Sequence, residues 1–282
     1  MIISVASGKG GTGKTTVATN LAAAMDIPIQ LLDCDVEEPN AHIFIKPVIH
    51  DKRTVYTMVP EVDSERCTGC GDCVKICRFS ALAAIGGKVI TFADLCHGCG
   101  GCVEVCTDGA ITEGHREVGI VESGNSGLIA FEMGKMRIGE PAAPPLIRKV
   151  REKITPEGDT IIDAPPGTSC PVISAIEGTD YVILVTEPTP FGLHDLKLAV
   201  EVVKEIAIPC GIVINRSDLG DDKVHEYASN EGIPILMEIP FSRDVASAYS
   251  RGEMLITSGD NGAEWRQMFQ SLFRKIHILA EC

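Results

Sequence analysis

No stretch of this sequence comes near the roughly 18–20 consecutive apolar residues that a membrane-spanning helix requires. The first ten residues, MIISVASGKG, have neither a basic leading segment nor a long apolar run, so no export signal is expected and the chain reads as cytoplasmic. Positive charge is scarce: 25 Lys and Arg stand against 39 Asp and Glu, a net charge of −14. A chain that grips nucleic-acid phosphates usually presents a basic face, so no nucleic-acid partner is expected. The acidity suits solubility and basic or cationic partners. Otherwise the composition is that of a soluble globular chain, 45% hydrophobic and 23% charged. Its 282 residues suffice for one large domain, or for one domain and a small module. Cysteine is what the sequence has in excess. There are twelve, eight of them in two tight, identically spaced runs, and without an export signal that pattern reads as metal binding rather than disulfides.

The organisation follows from where apolar runs start and stop. Ile2 to Ala6 is a short β-forming run; a Gly-rich loop, a helical stretch from Lys14 to Met25 and a second apolar run from Ile29 to Leu32 follow. Strand, loop, helix, strand is the start of a parallel α/β sheet. Between about residues 61 and 113 periodic segments vanish and Cys and Gly dominate. There, CTGCGDCVKICRFSAL from Cys67 recurs as CHGCGGCVEVCTDGAI from Cys96, at a period of 29. Two copies at so short a period fit a duplicated half-module better than a solenoid. Beyond residue 117 the α/β pattern returns. Thr160–Ile162, Tyr181–Thr186, Gly211–Ile214 and Ile235–Ile239 read as buried parallel strands. Helices are expected over Phe191–Ala207, Asp221–Asn230 and Ala263–Ala280, and Gly124 to Pro145 reads as a return path. The expected division is residues 1–60 and 114–282 for one domain, with 61–113 inserted into it.

Residues 8–15, GKGGTGKT, fully match the phosphate-loop pattern G-x-x-x-x-G-K-[ST]. Gly8, Gly10, Gly11 and Gly13, with Thr12 among them, let backbone N–H groups curl around a phosphate without Cβ clashes, and the following helix N-terminus adds its dipole. Lys14 should reach the β- and γ-phosphates and Thr15 should place its hydroxyl on Mg²⁺, with Thr16 beside it in the first turn. The strand before the loop and the helix after it supply the required context. A chance Gly-rich turn is the competing reading, and motif and context together disfavour it.

With its early lysine, KGGTGKTT resembles the deviant phosphate loop of MinD/ParA-type ATPases, a group that includes the nitrogenase iron protein and the Mrp-type iron–sulfur carriers. The resemblance implies ATP as the nucleotide. It also implies that Lys9 reaches across a dimer, homotypic or with a paralogue, to the partner's phosphates, as an arginine finger does. By the same resemblance Asp35, in LLDCD, orients the attacking water, and Asp33 lies in the Mg²⁺ environment. Asp163, in IIDAPPG, holds Mg²⁺ through water, and Gly167 reports on the γ-phosphate. VTEPTPFGLHDL is typical of the group. Asn215 in VINRS implies contact with the adenine edge, and Pro240 lies in the loop IPFSRDVASA that closes over the base. For each lone aspartate, capping or turn-making is the competing role.

Cys67, Cys70, Cys73 and Cys77 follow C-x₂-C-x₂-C-x₃-C, and Cys96, Cys99, Cys102 and Cys106 repeat it. Thiolates suit iron–sulfur chemistry. Three closely spaced cysteines can hold three corners of a cubane while the fourth points at the other cluster. Cluster one is therefore assigned to Cys67, Cys70, Cys73 and Cys106, and cluster two to Cys96, Cys99, Cys102 and Cys77. The arrangement resembles bacterial two-cluster ferredoxins, with Arg78 and Thr107 where a proline commonly follows the fourth cysteine. Two Cys₄ zinc sites are the alternative, though zinc sites usually come as separated C-x₂-C knuckles. From 61 to 113 there are eight acidic and four basic residues, a net of −4 before any cluster, which suits a basic redox partner.

Cys34, Cys170, Cys210 and Cys282 remain. No extra pair that could bridge a cluster between subunits is present, and the first three read as small buried hydrophobes. The last helix carries Trp265, Met268, Phe269, Leu272, Phe273 and Ile276 on one face; packing on the sheet is favoured over a membrane surface.

The expected fold is α/β, a mostly parallel doubly wound P-loop sheet with an inserted bacterial ferredoxin-like module. The expected activity is MgATP hydrolysis coupled to electron transfer through two 4Fe–4S clusters, toward a redox or metal-cofactor partner protein. The alternatives are a metal-cofactor or iron–sulfur assembly factor and a MinD-like positioning ATPase.

Overall fold

The computed structural model describes residues 1–259 and 261–280; Cys282 lies outside them. The chain forms two compact units. The larger comprises Met1–Lys52, Val121–Lys135 and Ile147–Cys282, the smaller Arg53–Ile120 and Met136–Leu146. The observed divisions at 52/53 and 120/121, with 136–146 added, differ from the change of composition at 61 and 113.

The larger unit is built on parallel strands. β1 (Ile2–Ala6) lies between β8 (Asp159–Asp163) and β9 (Tyr181–Thr186); β2 (Ile29–Asp33) lies beyond β8, and β7 (Ile129–Met136) beyond β2. On the other side β10 (Cys210–Asn215) and β11 (Ile235–Ile239) follow β9. β2 and β9 are buried at every position, as expected of strands covered on both faces. One face is covered by helix α1 (Lys14–Ala24) and helix α10 (Gly262–Ala280). Phe269, Leu272, Phe273 and Ile276 of α10 are buried in that core, with Trp265 and Met268 packed against it. Arg266 and Gln270 donate to the carbonyls of Ala23 and Ala24, closing the orphaned C-terminus of α1. The apolar face of the last helix thus packs on the sheet. Among the described residues no helix is long and apolar enough to cross a membrane.

β3 (Val48–Val62) and β6 (Ile111–Ser126) are longer, and each contributes residues to both units. Within the stretch from Gly124 to Pro145, β7 occupies the middle. Ile129, Phe131 and Met133 are buried while Ala130 is exposed, the alternation of a strand. Gly127, at φ +57°, makes the tight turn from β6.

The smaller unit holds the duplicated segment. Helix α3 (Asp72–Ile76) and helix α4 (Gly101–Glu104) occupy equivalent places in the two copies, 29 residues apart, and a two-stranded ribbon of β4 (Leu82–Ile85) and β5 (Lys88–Thr91) lies between the copies in sequence.

Candidate nucleotide site and cysteine chambers

Between β1 and α1 the backbone turns through Gly11 (φ +77°) and Gly13 (φ +100°), a left-handed region that side chains rarely tolerate. A Cβ at Gly8 would lie 2.1 Å from the Asp195 carbonyl oxygen. Gly13 caps α1 without a side-chain hydrogen bond, so no side chain competes for the helix's first N–H groups. The loop opens on a cavity of about 340 Å³. Of the expected residues Gly10, Gly11, Gly13, Lys14, Thr15, Thr16, Asp35, Asn215 and Pro240 line it. Gly8 and Thr12 support the loop from behind: Thr12 is buried and its carbonyl accepts from the Asn215 side-chain amide at 2.8 Å. Gly167, at φ +102°, donates its N–H to the Ser7 carbonyl at 3.0 Å and ties the loop after β8 to the phosphate loop.

Three carboxylates at the ends of β2 and β8 stand in three different states. Asp163 is fully buried, and both of its side-chain oxygens lack a hydrogen-bond partner among the described residues. Burial pushes its pKa up to about 7, against the pull of the Thr15 hydroxyl and the Lys14 ammonium. Asp33 is its register partner on β2. Asp33 is equally buried, and burial first, then the Asp163 charge, raises its pKa well above the ordinary range. Its oxygens accept from the backbone N–H groups of Asp35, Asn40 and Ala41. Those three bonds engage the Asp33 carboxylate in folding the turn that follows β2. Asp35 borders the cavity and is half-buried, with a pKa raised to about 6 by burial; Glu37 and Glu38 add to the rise and Lys14 opposes it.

Lys9 is half-exposed, its ammonium 3.7 Å from Glu187, and the second oxygen of Glu187 is 2.9 Å from Arg216. Glu187, Arg216 and two aromatic lining residues, Phe241 and Tyr249, were not singled out from the sequence. The left-handed backbone of Arg216 (φ +53°) marks a special position that its sequence does not reveal.

In the smaller unit the eight cysteines rim two separate chambers. Cys67, Cys70, Cys73 and Cys106 line one; Cys77, Cys96, Cys99 and Cys102 line the other. Among the described residues no three Cys, His, Asp or Glu side chains converge closely enough to hold a single ion. The two halves repeat each other in detail. Gly69 and Gly98 have φ +74° and +68°, and Gly71 and Gly100, which cap α3 and α4, have +77° and +75°. The N–H of Ala81 donates to the Cys77 sulfur at 3.3 Å, as that of Ala110 does to the Cys106 sulfur. Burial raises the thiol pKa of Cys73 and of Cys102, which hold equivalent places. Of the other cysteines, Cys34 is buried and Cys210 half-buried, as small hydrophobes would be. Cys170 is instead exposed, because it opens helix α6 (Cys170–Ile176) at its loop end.

The model of the CobQ/CobB/MinD/ParA nucleotide-binding domain family matches residues 3–256. The chain belongs to this family. An uncharacterized protein of Methanocaldococcus jannaschii is 31% identical over 92% of this chain and 93% of its own length. An iron–sulfur cluster carrier protein of Aquifex aeolicus is 26% identical over 99% of this chain and 68% of its own. Among solved structures, the septum site-determining protein MinD of Pyrococcus horikoshii, complexed with Mg-ADP, superposes with a TM-score of 0.62 at 19% identity, covering 99% of this chain and 96% of that one.

In this CobQ/CobB/MinD/ParA-type domain Asn215 does more than border the cavity. Its amide closes the phosphate loop onto the end of β10, and a Cβ at Gly13 would meet that amide at 2.5 Å. Asn215→Ala should therefore weaken nucleotide binding by about 5–10-fold, the worth of one hydrogen bond in a partly buried loop. Isothermal titration with MgADP reads it, and an unchanged affinity would remove the amide from the loop's support.

Proposed function

We propose that the chain is an ATP-hydrolysing iron–sulfur protein that couples nucleotide-driven dimerisation to electron transfer through two 4Fe–4S clusters. The observation that carries this reading is that each chamber is rimmed by three cysteines of one run and the fourth cysteine of the other, in the same chain as a complete phosphate loop. Soft thiolate donors and backbone N–H groups aimed at sulfur both suit a cubane. The relatives named as iron–sulfur cluster carriers support the iron–sulfur part. Bound clusters would supply one-electron storage to an otherwise redox-inert fold.

The nucleotide chemistry rests on this chain's own side chains. The Asp163 carboxylate, buried without a hydrogen bond, fits a site for hydrated Mg²⁺ beside Thr15, since a cation restores the charge balance that burial denies it. Lys14 and the N–H groups of the phosphate loop hold the phosphates. Asp35, at the cavity rim, orients water, and must be ionised to accept its proton. Phe241 and Tyr249 offer apolar faces to a base. Lys9, paired with Glu187 in its own chain, is the residue that a second subunit would draw across.

If so, specific ATPase activity rises with protein concentration in the wild type, and Lys9→Ala lowers it by about 10²-fold or more while nucleotide affinity stays nearly unchanged. Turnover that is independent of concentration and of Lys9 would overturn the dimer-dependent mechanism. A cluster-carrier role is the second reading, favoured by the names of the relatives; transfer of iron and sulfide to an apo-acceptor would distinguish it.

A further inference from the structure

The two cysteine chambers share their ligand geometry but differ in what surrounds their openings. Around the chamber of Cys77, Cys96, Cys99 and Cys102, three large side chains stand in solvent: Ile76 (43% exposed), Phe79 (41% exposed) and His97. Phe79 and His97 stack with ring centroids 3.7 Å apart and planes within 10°, which makes a flat, rigid platform beside the exposed Cys99. Among the described residues no aromatic side chain lines the other chamber. In its lining Val89 and Val105 are half-buried and Ile111 is buried, and its exposed lining residues are polar, with the Thr68 hydroxyl donating to the Asp108 carboxylate at 2.7 Å. Exposed aromatic and aliphatic groups packed into one platform are the usual centre of a protein interface.

Charge says what kind of partner fits. All eight acidic side chains of residues 61–113 are exposed, against four exposed basic ones. Arg78, beside Phe79, carries the opposite sign and is outnumbered. Thiolate-bound clusters would make the segment more negative still. The same acidic segment of a second copy, itself at −4, would be repelled from this face.

We infer that the Ile76–Phe79–His97 platform is the docking surface for a redox protein with an apolar centre and a basic rim, and that electrons pass to and from this chain through the chamber of Cys77, Cys96, Cys99 and Cys102. The inference rests on the two-cluster reading. Each encounter moves one electron: one cluster core changes by one unit of charge and the partner's centre by the opposite unit, with no bond made and no proton moved. A low-potential one-electron donor of the reduced flavin or iron–sulfur class reloads the module.

Cytochrome c serves as the probe, being a small basic haem protein. Full-length protein, loaded anaerobically, reduced with dithionite and desalted, is mixed with ferric cytochrome c in a stopped-flow instrument. The second-order rate should fall at least severalfold as ionic strength rises from about 20 to about 300 mM. Ile76→Ser and Phe79→Ser should each slow it severalfold at low salt, and Thr68→Ala at the other chamber should leave it unchanged. Every variant is assayed for iron and for the EPR signal of the reduced clusters. Should the platform variants lose iron, Glu104→Lys, an exposed charge reversal just after Cys102, carries the test by the same slowing. Wild-type protein without iron or signal would sink the two-cluster reading itself. Full iron content with a rate indifferent to salt and to these substitutions would overturn the docking surface alone.

Discussion

Asp163→Asn is expected to lower MgATP hydrolysis by about 10²–10³-fold and, at the same time, to stabilise the nucleotide-free protein. The two effects have one cause. In the free protein Asp163 is a buried carboxylate without a hydrogen bond, beside the equally buried Asp33. It is tolerable when a hydrated cation is near and unfavourable when none is. Its folded pKa, about 7, is raised above the ordinary 3.8. Between those values the folded state binds more protons than the unfolded one. The contribution of this group to stability is therefore greatest below about pH 4, declines as pH rises through that window, and is lost above pH 7. Asparagine has no charge to bury, and its amide can donate where the carboxylate could only repel Asp33. At pH 8 without Mg²⁺ the variant should be more stable by about 1–3 kcal/mol, and the advantage should shrink toward pH 5. Thermal denaturation at the two pH values reads it. Hydrolysis near the wild-type rate, or a variant less stable at pH 8, would mean that Asp163 is a structural carboxylate.

The second large effect concerns which cysteines act together. Cys77 lies in the first run yet lines the chamber of Cys96, Cys99 and Cys102; Cys106 lies in the second run yet lines that of Cys67, Cys70 and Cys73. Cys77→Ala should therefore behave like Cys99→Ala, lowering iron from about eight to about four atoms per chain and leaving the other cluster's EPR signal intact. Combining Cys77→Ala with Cys99→Ala should add little, because both damage one site. Cys77→Ala with Cys70→Ala should empty both. Should Cys77→Ala instead match Cys70→Ala, each run would hold its own cluster and the crosswise assignment would fail.

Legibility in the sequence followed the range of the interaction. The phosphate loop announces itself because its requirements are local: glycines that must adopt positive φ, a preceding strand, a following helix. β9, β10 and β11 were visible as continuous apolar runs, since a strand buried on both faces needs no alternation. β3 and β6 were missed for the opposite reason. Half of β3 is exposed, and it carries His50, Asp51, Lys52 and Arg53 as well as Pro60; β6 carries Thr112, Glu113, Gly114 and His115 directly after its first residue. Neither reads as a strand until its neighbours are known.

Residue chemistry alone does not show how the surroundings of Asp33 and Asp163 differ. Both end buried strands as aspartates, and only the turn after β2, which places three N–H groups on Asp33, shows that one is employed and the other idle. Glu187 and Arg216 pair with or stand beside phosphate-loop residues that are distant in sequence, and no local signal marks such contacts. The cysteine spacing was legible because three ligands of a cubane fit within one short loop running into a helix. The stacked Phe79 and His97 were not, being eighteen residues apart and unremarkable singly.

The central claim is that nucleotide and clusters report to each other. Steady-state ATPase activity of anaerobically prepared protein, with the clusters oxidised and then dithionite-reduced, tests it most directly. The account predicts a severalfold change in turnover between the two states, absent when all eight chamber cysteines are replaced by alanine. Equal turnover in both states, with iron content and EPR signals intact, would contradict coupling and leave the clusters as cargo or scaffold.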